Sequence, residues 1–241
     1  MREDYPEWLI EQKYAENTQK AQIARVKKVE EHYGDLEEHL KRNSYQEVIN
    51  SLEYSTQDEK SDKQNPSKIK FNGNIRNNLQ SYKNAAVRYK KFLEGNDFRT
   101  VSSEDTKVRD DDLPNNEYAN QKLSLERDMQ AALRHNIKNL NPDLKIIDDG
   151  AERSVDSGFI DITCKDAKSI IVVELKAGKA DSRAIGQILG YMGDLQEEEE
   201  TPVRGILVAH DFDKRAKAAA RVVPTLELKK YSIEFKFTAE N

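Results

Sequence analysis

Four consecutive β-branched residues, Ile170-Ile171-Val172-Val173, describe a strand built for burial. The same strand then turns polar: Glu174 and Lys176 follow, two residues apart, and successive strand side chains alternate, so both project from one face. Just upstream, Gly158 to Cys164 reads as a second strand, turning near Asp166 into the first as an antiparallel hairpin. Leu125, Met129, Leu133, Ile137 and Leu140 predict a preceding helix, and "LKIID" a short strand. Downstream come a helix in "SRAIGQILGYMGDL", a buried strand in "VRGILVAH", an alanine-rich helix in "KRAKAAARVV" and closing strands in "TLELKKY" and "IEFKFT". That order predicts an α/β domain with a central mixed sheet flanked by helices on both faces.

The first half of the chain has a different pattern. Asn17 and Thr18 are placed to cap a helix carrying Ile23, Val26, Val29 and Tyr33, with Gly34 ending it. Ser44-Tyr45-Gln46-Glu47 fits a capping box ahead of Val48, Ile49 and Leu52. Ser55 to Asn74 has no periodicity and reads as a loop. Leu79, Tyr82, Ala86, Tyr89 and Leu93 then recur at spacings of three and four, the mark of an amphipathic helix. Trp8 and Tyr14 are expected to pack among these helices. Glu94 to Tyr118 is polar, with Asp110-Asp111-Asp112 and Pro114, and reads as a linker. The expected organisation is a mostly α-helical N-terminal domain over 1–95, a linker over 96–118 and the α/β domain over 119–241. The acidic run Glu197 to Glu200 is expected to be a solvated loop without chemistry.

Composition narrows the function classes. Charged residues make up 34% and hydrophobic residues 37%, so the core should be modest and the solvated stretches long. No segment approaches the roughly 18 to 20 apolar residues that span a bilayer, and the first residues lack the apolar stretch of a signal peptide. No membrane association is expected. Cys164 is the single cysteine, which excludes an internal disulfide and a cysteine metal cluster and makes a cytoplasmic setting the default. His32, His39, His135 and His210 do not fall at the spacings of one metal site. The net charge of -5 argues against a generic nucleic-acid coat protein. Yet Lys60 to Lys91 is basic, with Asp62 its one acid. Lys83, Arg88 and Lys91 are therefore candidates for phosphate contact, against the alternative of a solvated helix face.

The chemistry centres on the hairpin. Asp161 lies on the strand antiparallel to Glu174, within a residue or two of the facing position, and facing side chains have Cβ atoms about 5 Å apart. Two carboxylates that close repel unless a positive charge sits between them. A hard divalent cation with oxygen ligands, Mg²⁺ with Mn²⁺ as substitute, is the expected occupant. Such an ion acidifies a bound water and offsets charge on a phosphate in flight. Lys176 is placed to orient that water or stabilise the transition state. Glu126 lies on the helix face carrying Met129, Leu133 and Ile137, which must pack on the sheet. Gln187 and Tyr191, four apart, share a helix face and can hydrogen-bond and stack beside a nucleotide. Arg153 and Lys179, with Arg183, are further candidates for contact with nucleic acid.

"GFIDITC", "VVELKAG", "AIGQILGYM" and "VRGILVA" resemble the PD-(D/E)xK nuclease superfamily, and more closely the C-terminal catalytic domain of NucS/EndoMS-type endonucleases, over about Leu123 to Phe237. The resemblance implies a restriction-endonuclease-like fold and a metal-dependent phosphodiesterase acting on DNA, in repair or in defence against foreign DNA. It implies that Asp161 and Glu174 bind the metal, aided by the Leu175 carbonyl. Lys176 corresponds to the signature lysine and Glu126 to the helix acid, while Gln187 and Tyr191 match the Q-x-x-x-Y motif of the RecB-like branch. Ile160 stands where proline is usual in the motif. The family's N-terminal module is β-rich, whereas residues 1–100 here read as helical, so mismatch specificity and clamp binding are not carried over. Cutting both strands usually takes two such sites, which leaves a homodimer open. The competing expectations are a non-cleaving nucleic-acid-binding or regulatory module that retains the fold, and a structural domain whose charged strand is merely solvated.

Overall fold

The computed structural model describes residues 1–95, 116–233 and 238, with the backbone alone for 116–123. Its first part is helical: α1 (Tyr5–Glu11), α2 (Glu16–Tyr33), α3 (Leu36–Lys41), α4 (Tyr45–Asn50), α5 (Thr56–Lys60) and α6 (Ile75–Leu93). Tyr5, Leu9, Val26, Val29, Leu36, Leu52, Leu79 and Ala86 form their common core, joined by Tyr14 and partly by Trp8. Gly34 ends α2 with φ 94°, a left-handed backbone that glycine adopts without a Cβ penalty.

Three local expectations fail here. α2 starts at Glu16 with Ala15 before it and no side-chain cap, so Asn17 and Thr18 lie inside the helix rather than capping it. Ser44 precedes α4 but its side chain caps nothing; its Oγ lies 2.8 Å from His39 Nδ1 instead. A capping box does form in the stretch read as a loop, where Ser55 and Asp58 satisfy each other's backbone amides and start α5. Five residues are too few to show an apolar period, so only the cap could have announced this helix.

The second part follows the expected order. The helices α7 (Asn116–His135) and α8 (Ile137–Leu140) precede β1 (Lys145–Ile146), β2 (Arg153–Val155), β3 (Gly158–Ile160), β4 (Ile162–Lys165) and β5 (Ile170–Ala180). Then come α9 (Ser182–Glu198), β6 (Val203–Phe212), α10 (Lys214–Ala220) and β7 (Leu226–Lys230). The five-stranded sheet runs β1-β4-β5-β6-β7, antiparallel from β1 to β5 and parallel from β5 to β7. It is the expected mixed sheet. Ile171, Val173, Leu175, Ile206 and Val208 point to the face covered by α7 and α8. Ile170, Val172, Leu207 and Ala209 point to the face covered by α9 and α10. No helix among the described residues is long and apolar enough to cross a membrane.

Three boundaries differ from expectation. The helix expected over Leu125 to Leu140 is interrupted at Asn136. α7 starts at Asn116, inside the stretch read as linker; residues 96–115 and most of the closing strand "IEFKFT" lie outside the described residues. Most consequential, Gly158 to Cys164 is not one strand. β3 pairs with β2 in a separate two-stranded ribbon, β4 pairs with β5 in the main sheet, and Asp161 is the residue between them.

The ribbon meets the N-terminal helices. Asn84 Oδ1 accepts from the Ser154 amide and hydroxyl at 3.2 and 2.9 Å. The Lys91 ammonium lies 3.7 Å from the centre of the Phe159 ring. The run at Glu197 to Glu200 closes the same boundary rather than forming a solvated loop. Arg153 contacts Glu198 and Glu199 at 2.7 and 3.0 Å, Arg76 pairs with Glu199, and Lys60 pairs with Glu200.

Candidate active site

Glu174 and Lys176 lie midway along β5, where the alternation of the strand turns them toward α9, on the face of Ile170 and Val172. Glu174 is 2% exposed; its Oε1 accepts from the Lys176 ammonium at 2.9 Å. Ile162 faces Val173 in the β4–β5 ladder, and one step further along that register Asp161 comes opposite Glu174. The chain leaves the ladder at that step. Asp161 therefore offers its carboxylate to β5 in place of its backbone: Oδ2 accepts from the Leu175 amide at 2.8 Å. Burial alone would lower the pKa of Lys176, but the nearby carboxylates of Glu174, Asp161 and Glu126 outweigh it and hold the ammonium above its ordinary value. The three carboxylates thus converge on one cation, and that convergence is why a buried strand carries Glu174 beside Lys176.

Glu126 is positioned by a strand irregularity. The register of β5 on β6 shifts between Lys176 and Lys179, and such a bulge releases backbone groups from the ladder. Glu126 Oε1 takes the released Ala177 amide at 2.9 Å, and the Tyr231 hydroxyl donates to the Ala177 carbonyl. Glu126 therefore ties α7 to β5 one residue past Lys176.

On the α9 side, Gln187 Nε2 donates to the Tyr191 hydroxyl at 2.7 Å. The Tyr191 phenol is pushed up to about 12, first by burial and then by Glu174. Tyr191 is 5% exposed and packs in the sheet–helix core, so its ring is not an open platform for stacking on a nucleotide. It also lies against Gly158. That residue has φ 147°, and a Cβ there would stand 2.9 Å from the Tyr191 hydroxyl, which leaves room only for glycine.

Asp161, Glu174, Lys176 and Glu126 are thus brought together, with Gln187 and Tyr191 beside them. The cations expected to contact phosphate are distributed differently. Arg88 is 0% exposed and pairs with Glu152. Lys83 is buried against Glu53 at 2.9 Å. Lys91 sits on Phe159. Arg153 is buried between Glu198 and Glu199. These four lie within the helical part or at its boundary with the sheet, because each found an internal acid or ring; a count of charges along the chain does not register such partners. Lys179 is exposed beside the bulge, as phosphate contact requires.

Two supporting residues went unnoticed in the sequence. The Asp161 carbonyl accepts from Gln130 Nε2 at 2.7 Å and from Arg134 at 2.6 Å. Glu126, Gln130 and Arg134 recur every four residues along α7, a polar stripe beside the apolar one, and that spacing was the available signal.

The donor set suits a hard divalent cation: two carboxylates, Asp161 and Glu174, and main-chain oxygen at Leu175. Among the described residues no three His, Cys, Asp or Glu side chains form a cage. A cation held here would keep several waters, as magnesium does.

A mixed sheet with Asp161 at the entrance of one strand and Glu174-x-Lys176 on its neighbour defines a nuclease-type domain of the restriction-endonuclease-like class. More narrowly, residues 125–234 match the family model described as the endonuclease NucS C-terminal domain, so this part of the chain is similar to that domain. Over 67 residues, 27% of this chain, it is 42% identical to Endonuclease NucS of Pyrococcus horikoshii and covers 26% of that protein. Over the same length it is 39% identical to Endonuclease NucS of Pyrococcus furiosus and covers 25% of it. The chain therefore matches about a quarter of the length of these curated relatives. A structure of an EndoMS–dsDNA complex shares 25% identity over 54% of this chain and 50% of that one, with a TM-score of 0.42. A repair endonuclease from Pyrococcus abyssi shares 30% identity over 50% and 48%, with a TM-score of 0.41.

Proposed function

We propose that this protein is a divalent-metal-dependent DNA endonuclease, with Mg²⁺ as the ion and Mn²⁺ as a substitute. The observation that carries the proposal is the meeting of Asp161, Glu174 and Lys176 midway along β5, with Glu126 fixing the backbone just beyond, at Ala177. The matched family model and the curated relatives support it, since both are named as NucS endonucleases. Repair of DNA, or defence against foreign DNA, is the setting for such an activity. Its compartment is the cytoplasm, where a chain with one free cysteine is stable as a thiol.

Asp161 and Glu174, with the Leu175 carbonyl, would hold the ion. When bound, it supplies an acidified water and offsets charge on the phosphate. Lys176, charged throughout the neutral range, donates hydrogen bonds to the attacking water or to a phosphate oxygen. Glu126 keeps the bulge open, and the Gln187–Tyr191 pair braces the α9 side of Glu174. Breaking both strands takes two such sites, which a second copy of this chain would supply.

The phosphate contacts are assigned to the rim beside this site. Ala180 pairs with Phe212 at the ends of β5 and β6, and the Asp213 amide donates to the Ala180 carbonyl at 3.0 Å. Lys179 and Arg183 follow one strand, Lys214 and Arg215 the other. All four are exposed. Unlike the buried cations at the helical boundary, they are available to track a DNA backbone.

The test is cleavage of single-stranded, duplex, branched and mismatched DNA with and without Mg²⁺ or Mn²⁺. Metal-dependent cleavage by the native protein, lost in Asp161→Ala and in Glu174→Ala, is the expected result. Metal-independent DNA binding with no cleavage of any substrate would overturn it and favour a non-cleaving binding module.

A further inference from the structure

We infer that Arg88, Glu152 and Gln130 are positioning residues through which the N-terminal helices set the place of Asp161. The inference rests on the reading of Asp161 as a metal-holding carboxylate. Its geometry is a continuous buried path. Arg88, 0% exposed on α6, donates from Nε to the Tyr14 hydroxyl at 3.2 Å and from one terminal nitrogen to Gln22 Oε1 at 2.8 Å. Its other terminal nitrogen donates to the Glu152 carbonyl at 2.7 Å and to Glu152 Oε2 at 3.3 Å. The Tyr14 hydroxyl donates to the same Oε2. Glu152 Oε1 accepts from Gln130 Nε2 at 3.0 Å, and that nitrogen also donates to the Asp161 carbonyl at 2.7 Å.

The amide nitrogen of Gln130 has two hydrogens, and these two acceptors take both. It is therefore fixed from one side by Glu152 and fixes Asp161 from the other. Asp161 depends on this because it stands between β3 and β4, outside either ladder. Its backbone is held by side-chain donors, Gln130 and Arg134, the latter anchored on Asp148 at 2.6 Å. A shift of Arg88 relative to α7 would move the acceptor that orients Gln130, and with it the carbonyl end of Asp161. Helices that bear none of the nuclease motif would thereby become part of its active geometry.

The Leu175 amide reports on this without metal or DNA, since its partner is the Asp161 carboxylate. Hydrogen exchange is measured in the full chain for the native protein, Gln130→Met and Arg88→Met. The expected result is exchange at Leu175 faster by roughly tenfold or more in both variants, while amides at the sheet centre such as Val172 stay protected, a local opening rather than global loss. Unchanged exchange at Leu175 in a folded Gln130→Met, or equal acceleration at Val172, overturns the inference. Should Arg88→Met not fold, Glu152→Gln, which keeps shape and removes charge, takes its place on the N-terminal side. Cleavage supplies a second reading: Gln130→Met should need more Mn²⁺ for half-maximal rate yet approach the native rate at saturation. Variants that exchange as described beside a native protein that cleaves no DNA would refute the nuclease reading alone.

Discussion

The Lys176 ammonium lies 2.9 Å from Glu174 Oε1, and both groups are largely withdrawn from water, with side-chain exposures of 21% and 3%. The lysine is thus engaged with the acid cluster, and it neutralises part of the repulsion that adjacent carboxylates would otherwise feel. Removing an acid here does not relieve strain. It strands a buried cation.

Glu174→Gln should therefore abolish cleavage and also destabilise the fold, by about 1.5–3 kcal/mol for a lost hydrogen bond to a charged group. Urea unfolding without metal measures it. The pH dependence follows from the raised pKa of Lys176. A raised ammonium contributes stability that is complete below its ordinary value of 10.5 and is lost only as pH rises through the higher folded value. The native protein should show no loss from this pair between about pH 6 and 10. A difference between native and Glu174→Gln that shrinks inside that window would contradict the assignment.

Arg88→Met should be among the most damaging substitutions in the helical half, although no nuclease motif includes it. It leaves Glu152 buried without its cation, and breaking a buried pair costs about 3–5 kcal/mol. Chemical denaturation of native and variant protein gives the figure, and a loss below about 1 kcal/mol would mean the network is relaxed in solution.

Gly158→Ala places a methyl group 2.9 Å from the Tyr191 hydroxyl at φ 147°. A non-glycine residue held in such a backbone region costs about 1–3 kcal/mol. The Tyr191 ring must also shift to admit it. Thermal unfolding should show the loss, and cleavage should fall with it; a variant of native stability and rate would remove Tyr191 from the site's support.

Changing Lys179, Arg183, Lys214 and Arg215 together to Ala should flatten the dependence of DNA affinity on salt, by about 0.9 in logarithmic slope for each phosphate no longer neutralised. Lys83→Gln with Lys91→Gln should leave that slope unchanged, because one lysine is paired with Glu53 and the other rests on Phe159. Fluorescence titrations across a salt series separate the two surfaces.

Cys164 is 0% exposed, and burial followed by the Asp148 charge pushes its thiol up to about 12. A thiol reagent at about pH 8, below the ordinary thiol pKa, should leave the folded protein unmodified and label it only on unfolding. In the unfolded chain the thiol ionises near its ordinary 9.0, so this group contributes stability below that pH and loses it as pH rises toward about 12. Stoichiometric labelling under native conditions would place Cys164 outside the sheet interior.

Periodicity by itself determined the helical first half, the order of elements in the second and the pairing of Glu174 with Lys176 on one strand face. These depend on neighbours a few residues apart, and a strand repeat of two or a helix repeat of about 3.6 records them directly. Only the tertiary structure decided that the strand expected through Asp161 is broken there, that Tyr191 is buried, and that Arg88, Glu199 and Glu200 meet partners from the other half of the chain. The physical reason is that a charge in the sequence has no fixed meaning until its surroundings are known. The same arginine can bind a phosphate or an internal carboxylate, and burial beside Glu152, reached only when residues 64 positions apart come together, selects the second.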